Sequence, residues 1–478
     1  MAGRKKYVWA AAVLLIAGFL LFFRLGVAAF QDYDEATYAE ITSESLAHGN
    51  YLSFTFLNNP FLRKPPLLFW LTSVSREIIP NEEVADRLPG ALAALALVAL
   101  VMAVCLEAGT GLGTAVLGGA ILATTSAFIE PARQVRFDVL VSLFILATFH
   151  AVLRARRDAR WYVLAGIFLG LAILSKGIIA VFALVAAGVY ALSTRTPVVK
   201  EKWVWYGVLA FLVVALPWHM YETIRYGFSF WQTYFGNEVL TRVSTNLFPG
   251  VKAPSNLGYL WYLFTFGAPW TELFAGLLIS LPFIYKKYGA VFFACVATVL
   301  SVLAVMFLSH TKATSYLLPL YPFMAVALAL YIGAAAREAR GLMRVDILCA
   351  LGIALVFGLS LTAYNAFHIN SYFAYQDELA QQEKTVGTLI SHTQTPAVYE
   401  YQDSDIGSIQ YYARLPFTNH PYLLLLSSDS TVQPGSLVIT PVSSTTLAHD
   451  FSNLRITSLY EGSDVSLFSL DSNSKLRK

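Results

Sequence analysis

The sequence predicts an α-helical polytopic membrane protein of about eleven spans, followed by a small C-terminal extracytoplasmic α/β domain. Three observations predict it. Of 478 residues, 57% are hydrophobic and only 13% are charged, where a soluble globular chain carries about a quarter; the mean hydropathy of +0.58 agrees. Apolar runs long enough to cross a bilayer at about 1.5 Å per residue recur over the first three quarters of the chain. The rest, residues 367–478, turns Ser/Thr-rich with short alternating runs (YLLLLSS, GSLVITPV, LRITSLYE, VSLFSL) parted by turn signals such as Gln433-Pro434-Gly435, the pattern of strands.

The basic start MAGRKK leads into an apolar run that is too long for a signal-peptide core and has no small-x-small site after it, so a retained first span is predicted over 7–30. Further spans are predicted near 89–106, 111–129, 137–153, 161–175, 177–193, 203–220, 258–281, 288–308, 315–336 and 345–366. Lys176 interrupts an apolar stretch of about thirty residues and decides the topology. With two spans there, short loops bearing Arg154, Arg156, Arg157 and Arg160, then Arg195, Lys200 and Lys202, then Lys286 and Lys287, then Arg337, Arg340 and Arg344 all fall inside, as the positive-inside tendency requires. The C-terminus then lies outside. The membrane domain is read as 1–366, with large outer loops 31–88 and 221–257, and the soluble domain as 367–478 with a helix near 371–392. Amphipathic helices at the membrane interface fit both outer loops. Cys105, Cys295 and Cys349 lie in apolar runs and read as small buried hydrophobes. The net charge of +3 includes no basic run interleaved with aromatics, so nucleic-acid binding is excluded.

The charges left over as anchors are taken away fall on one face: Asp32, Asp34, Glu35, Arg63, Lys64, Arg136, Asp138, Lys176, Arg242 and Lys312. Charge at a membrane boundary is costly, and such a set marks a site. A carboxylate of Asp34 or Glu35, just past the first span, can serve as a general base or hold a divalent metal; acids there also serve as ordinary capping residues. Lys64 stands before Pro65-Pro66, and proline restricts its predecessor to extended backbone, giving a compact cation suited to phosphate a fixed direction. Arg133, Arg136 and Asp138 share the short outside loop 130–138. Arg136 can pair with Asp138, whose place at a helix start the dipole favours. Lys176 either snorkels to headgroups or reaches into a site. Glu238 and Arg242 are four apart on an aromatic-rich segment and can pair. His310 and His219 lie near the same boundary, but no zinc motif and no nucleotide-binding glycine loop is present. Cations for a phosphorylated group and a carboxylate for proton chemistry, open to a side where soluble nucleotide donors are scarce, fit a donor carried on a lipid phosphate.

These residues resemble a known family. Asp34-Glu35-Ala36-Thr37-Tyr38-Ala39-Glu40-Ile41 is similar to the first-loop motif of GT-C-fold membrane glycosyltransferases of the ArnT/protein-mannosyltransferase-like group. Lys64-Pro65-Pro66-Leu67-Leu68-Phe69-Trp70, Arg136-x-Asp138, Ser175-Lys176-Gly177, Leu216-Pro217-Trp218 and the run from Lys312 through Tyr316-Leu317-Leu318-Pro319-Leu320-Tyr321-Pro322 match as well. The likeness covers about 7–366. It implies a polyprenyl-phosphate-linked sugar donor, an extracytoplasmic lipid, glycan or protein acceptor, and transfer with inversion in the bacterial plasma (inner) membrane. Asp34 is implied as the catalytic carboxylate, with Asp138 assisting placement. Lys64 and Arg242 are implied to hold the donor phosphate, Glu35, Tyr38 and Arg136 to line the substrate, and Lys176 and Lys312 to follow the lipid-phosphate path. Some members carry a divalent metal held partly by a glutamate before the lysine and a histidine after the aromatic helix. This chain has Arg63 there and no histidine between Phe248 and Trp270, so the likeness does not carry a metal over; Arg and Lys can neutralise a single departing phosphate instead. A flippase for a lipid-linked saccharide shares the cationic site, but its key polar groups belong near the midplane on broken helices. A transferase linking wall or capsule phosphates is a further alternative.

Overall fold

A computed structural model describes residues 2–31, 34–245, 255–284, 287–339, 342–367, 369, 371–393, 395, 397–401, 407–413, 423–425, 435–443, 445–447 and 455–471. In lipid the backbone must satisfy its own hydrogen bonds, and the first three quarters of the chain does so with helices. Among the described residues seven are long and apolar enough to cross a membrane, or up to nine if each of two bent pairs, Leu112–Ala123 with Ser126–Arg133 and Asn256–Phe266 with Trp270–Phe283, is one span. This is a multi-pass membrane protein. The helix Leu320–Glu338 runs through the middle, buried continuously from Leu320 to Leu330, against Glu82–Glu107, Leu112–Ala123 and Ala290–Leu308. Helices Lys202–Tyr226 and Leu342–Ala366 instead turn Leu209, Val213, Ile353 and Val356 outward, as helices facing lipid do. Cys105 and Cys295 are buried as expected, but Cys349 is exposed on that outer helix.

The stretch 161–194 is continuous in its apolar character, yet its contacts show that it turns back. Trp161 sits against His150 (6.1 Å) and beneath Arg154 (4.8 Å), near the end of helix Phe137–Arg154. Lys176 pairs with Asp138 at that helix's opposite end. Tyr190 has returned, accepting from Arg156 Nη1 at 3.2 Å and stacking edge-on with Phe149. The reversal occurs at Gly177, whose φ of +54° suits glycine alone. A Cβ there would meet the Tyr234 hydroxyl at 2.8 Å. At the end of helix Phe137–Arg154 far from Asp138, Arg154 and Arg157 share Glu107 (2.9 and 3.2 Å).

At the end of the bundle that carries Asp138 the first loop forms a crown. Asp34–His48 is a helix, but protein covers most of it, so it does not present the open polar face that the amphipathic reading expects. Nine of its residues are buried, because helix Gly407–Ala413 of the C-terminal domain covers it. A two-residue hairpin, Thr55–Phe56 with Asn59–Pro60, turns through Leu57 and Asn58 in left-handed backbone. Helix Leu67–Ile78 follows, and Arg76 ties it to Asp86 Oδ1 (2.7 Å) and Ser43 Oγ (2.6 Å).

The four alternating runs near the C-terminus form strands of one five-stranded sheet, ordered Leu423–Leu425, Val398–Glu400, Ser436–Thr440, Ser466–Asp471, Arg455–Glu461. The first three are parallel and the last two pairings antiparallel. Helix Ser371–Ser391 packs Val386 and Ile390 onto one sheet face with Ile409, Leu437 and Leu467. Tyr411 and Tyr412 anchor this domain to the crown. Tyr411 donates to Glu82 and accepts from Arg76 Nη2 at 3.1 Å. Tyr412 accepts from the Phe30 amide at 2.9 Å and donates to Glu83 at 3.0 Å.

Candidate functional site

Asp34 and Glu35, neighbours at the start of one helix where the dipole favours acids, meet opposite surroundings. Asp34 opens outward with its side chain half exposed. Its Oδ1 accepts from the Tyr38 hydroxyl at 3.1 Å and its Oδ2 from Arg136 Nη1 at 3.1 Å. Burial would raise its pKa, but Arg136, Lys176 and Lys64 outweigh that, with the Tyr38 hydrogen bond, and hold the carboxyl below its ordinary value. Tyr38 is buried. Burial and the charges of Asp34 and Asp138 push its phenol well above the ordinary range, so it stays a donor to Asp34.

Glu35 points the other way, into the protein. Arg87 Nε and Nη2 reach its two oxygens at 3.0 and 2.9 Å, and the amides of Val135 and Gln31 donate at 2.9 and 3.1 Å. Arg87 also donates to the carbonyls of Leu25, Ala28 and Ala29. With its acceptor positions filled, Glu35 is a structural clamp fixing the link after the first helix, not the substrate contact the motif implies. Arg133 is similarly occupied, donating to the carbonyls of Leu20, Leu21 and Phe23. Asp32 lies outside the described residues.

The other cations converge. Arg136 pairs with Asp34 instead of Asp138, and its Nε donates to Gln134 at 2.5 Å. Asp138, buried at the start of helix Phe137–Arg154, pairs with Lys176, whose ammonium stands 4.5 Å over the Tyr316 ring. Lys64 pairs with Glu238. Arg242 donates to the other oxygen of Glu238 at 2.9 Å and to the Tyr316 hydroxyl at 2.6 Å. The Arg242 backbone is fixed by a strap: its carbonyl accepts from Thr311 N at 2.9 Å and Ser309 Oγ at 3.1 Å. Glu238 lies on Gln232–Thr241, which is wound as a π-helix, a form often found at functional sites. Burial, Arg242 and Lys176 lower the Lys64 pKa although Glu238 works against them.

Between these groups lies a cavity of about 140 Å³. Arg63, Lys64, Lys176, Glu238 and Arg242 supply its polar wall, and Ile178, Phe235, Val239, Val305 and Met306 its apolar wall. Arg63 is exposed there and has no ion pair among the described residues. Lys312, expected on the lipid-phosphate path, is turned aside and donates to the carbonyls of Met306 (3.0 Å) and Ser309 at the end of helix Ala290–Leu308. His310 contacts the Val243 carbonyl at 2.7 Å and His219 the Tyr234 hydroxyl at 3.3 Å. Among the described residues four cations (Arg63, Lys64, Lys176, Arg242) line the cavity with one carboxylate (Glu238), leaving an excess of positive charge for an anion. A divalent metal does not fit: among the described residues no three His, Cys, Asp or Glu side chains cluster to hold one, and the cavity wall is cationic.

The helical bundle with its crown and its C-terminal sheet domain defines a polytopic membrane fold. In fold it is similar to ArnT, and in sequence to a family of sugar transferases and to curated arabinosyl transferases. ArnT from Cupriavidus metallidurans bound to undecaprenyl phosphate superposes with a TM-score of 0.74 over 97% of this chain and 98% of that one, at 17% identity. An Archaeoglobus fulgidus oligosaccharyltransferase aligns at 0.57 and 14% identity, over 86% of this chain and 64% of that one. Residues 63–221 match the family described as dolichyl-phosphate-mannose-protein mannosyltransferase. The undecaprenyl phosphate-alpha-4-amino-4-deoxy-L-arabinose arabinosyl transferase of Enterobacter sp. (strain 638) is 27% identical over 287 residues, 56% of this chain and 49% of that protein. The enzyme of the same name from Pectobacterium carotovorum is 25% identical over 69% of this chain and 60% of that protein. The chain thus aligns with only about half to three fifths of those transferases.

Proposed function

We propose that the chain is a membrane glycosyltransferase that moves a sugar from a polyprenyl-phosphate donor to an extracytoplasmic lipid, glycan or protein acceptor, with inversion. The observation that carries the reading is one cavity with an apolar wall for a lipid chain and a cationic wall for its phosphate, two of whose lysines, Lys64 and Lys176, also act on the half-exposed carboxylate of Asp34. The arabinosyl transferases and the ArnT structure, named for undecaprenyl phosphate, support the same donor class. In this reading the acceptor attacks the anomeric carbon in line with the phosphate, and Asp34 takes or orients its proton. The departing oxygen leaves with the bonding pair as polyprenyl phosphate, gaining one negative charge, which Lys64 and Arg242 stabilise more than the charge of the bound donor. Tyr38 and Arg136 hold Asp34, and Lys176 holds Asp138 near the sugar.

Eleven crossings belong to the same proposal. Counting each bent pair as one span, dividing 161–194 at its reversal and admitting the shorter helix Tyr7–Phe22 reconciles nine candidates with eleven. The basic loops then lie in the cytoplasm, and the site and residues 367–478 face outward from the bacterial inner membrane. The test uses purified protein in lipid, a panel of polyprenyl-phosphate sugars and a membrane extract as acceptor. Release of free polyprenyl phosphate with a sugar-sized acceptor mass gain is expected. A panel that includes the native donor and yields neither product defeats the proposal.

A further inference from the structure

We propose that Glu238 is an internal stand-in for the donor phosphate: it occupies the Lys64–Arg242 cradle in the empty protein and must be displaced when a lipid-linked phosphate binds. This rests on the reading of the cavity as a polyprenyl-phosphate site. Both oxygens of this one carboxylate are engaged, Oε1 by Arg242 at 2.9 Å and Oε2 by Lys64. That is the bidentate, charge-assisted pattern in which a phosphate would also be held. Glu238 is only 10% exposed, and what shows of it lies on the cavity wall. Lys64 and Arg242, 174 and 4 residues from Glu238 in sequence, meet on this one carboxylate, so without an anion between them two partly buried cations, 15% and 18% exposed, would repel. The carboxylate removes that repulsion and keeps the cradle assembled.

The same contact sets a threshold. A neutral polyprenol brings no charge to replace the carboxylate and leaves the cradle closed. A phosphate replaces both of its hydrogen bonds and adds charge, and Arg63, at the same cavity and without an ion pair among the described residues, is available to meet it. Glu238 is a positioning residue with a specific cost to the ligand, so its removal changes affinity in the direction opposite to that of a binding residue.

The experiment measures undecaprenyl phosphate affinity in phosphatidylcholine nanodiscs for the full chain, Glu238→Gln and Lys64→Ala. Glu238→Gln keeps the shape and one acceptor but removes the competing charge; about tenfold tighter binding is expected, equivalent to about 1.4 kcal/mol. Unchanged or weaker binding by Glu238→Gln, with Lys64→Ala binding more weakly than the full chain, overturns the stand-in role and leaves the phosphate site intact. Failure of the full chain to bind, or no loss in Lys64→Ala, overturns both readings. If Glu238→Gln does not fold, Glu238→Asp, which draws the charge back by one methylene, is expected to bind more tightly by a smaller factor, and equal or weaker binding by it overturns the role.

Discussion

Replacing Glu35 with Gln separates two neighbouring acids that the sequence treats alike. In the folded protein the Glu35 and Arg87 side chains are 2% and 4% exposed, so neither can turn to water when its partner is lost. Glu35 accepts four hydrogen bonds, two from Arg87 and two from the amides of Val135 and Gln31. A glutamine keeps one acceptor oxygen and points an amide NH2 at donors that need an acceptor. It also leaves the Arg87 charge without its counterion. Breaking a buried pair from one side costs about 3–5 kcal/mol, and the unmet amide donors act in the same direction. The expected result is a large loss of monodisperse protein and a strongly lowered melting temperature in detergent, with residual activity tracking the folded fraction. A variant that melts like the parent but loses transfer would refute the clamp and return Glu35 to the substrate.

Asp34→Asn is expected to behave in the contrary way. Its half-exposed pair with Arg136 contributes little to stability, below about 1 kcal/mol, whereas loss of a general base costs about 10²–10⁴ in rate; melting curves beside single-turnover rates check both. The pH profile follows from the shifts at Asp34 and Lys64. Asp34 is held below its ordinary value of 3.8, so its stabilising ionised form persists above that range and is lost only as pH falls through the lowered value. Lys64 is lowered from 10.5, so donor binding weakens on the alkaline side earlier than an ordinary lysine would allow. A titration of undecaprenyl phosphate affinity is therefore expected to fall on the alkaline side at a lower pH than an ordinary lysine would give, while an acid limb near pH 6 belongs to the second ionisation of the phosphate monoester itself, about 6; an alkaline limb no earlier than that of an ordinary lysine would contradict the assignment. Gly177→Ala forces a side chain into φ +54° and to 2.8 Å from the Tyr234 hydroxyl, with a strain of about 1–3 kcal/mol. Thermal melts should show the loss, and adding Tyr234→Phe should restore only part of it.

Much of the fold is legible in hydropathy and loop charge. The division of 161–194 follows from the basic loops alone, and the returning contacts of Tyr190 show the same reversal. The strand runs of the C-terminal domain were readable because alternation marks one buried face. What is not legible is the pairing. Residue spacing favours Arg136 with Asp138 two positions away, but helix packing carries Asp34 and Lys176 between them, separated by 102 and 38 residues. Glu238 reads in sequence as an i,i+4 partner of Arg242, and its second contact, to Lys64, depends on tertiary folding. Nothing local distinguishes Glu35 from Asp34; Arg87, 52 residues on, decides that Glu35 is consumed by the fold. Lys312 follows the motif, yet the carbonyls ending helix Ala290–Leu308 lie within its reach and capture it. Tyr411 and Tyr412, in the C-terminal domain, carry no local signal of the docking they perform.

The central claim is that this cavity breaks a sugar–phosphate bond and makes a glycosidic one. The most direct measurement is the ratio of polyprenyl phosphate released to acceptor glycosylated, followed in time in proteoliposomes for the parent and Asp34→Asn. The account predicts a one-to-one ratio throughout, with both products lost together in the variant while it still binds undecaprenyl phosphate. Movement of intact donor across the bilayer, with neither product formed, would contradict it.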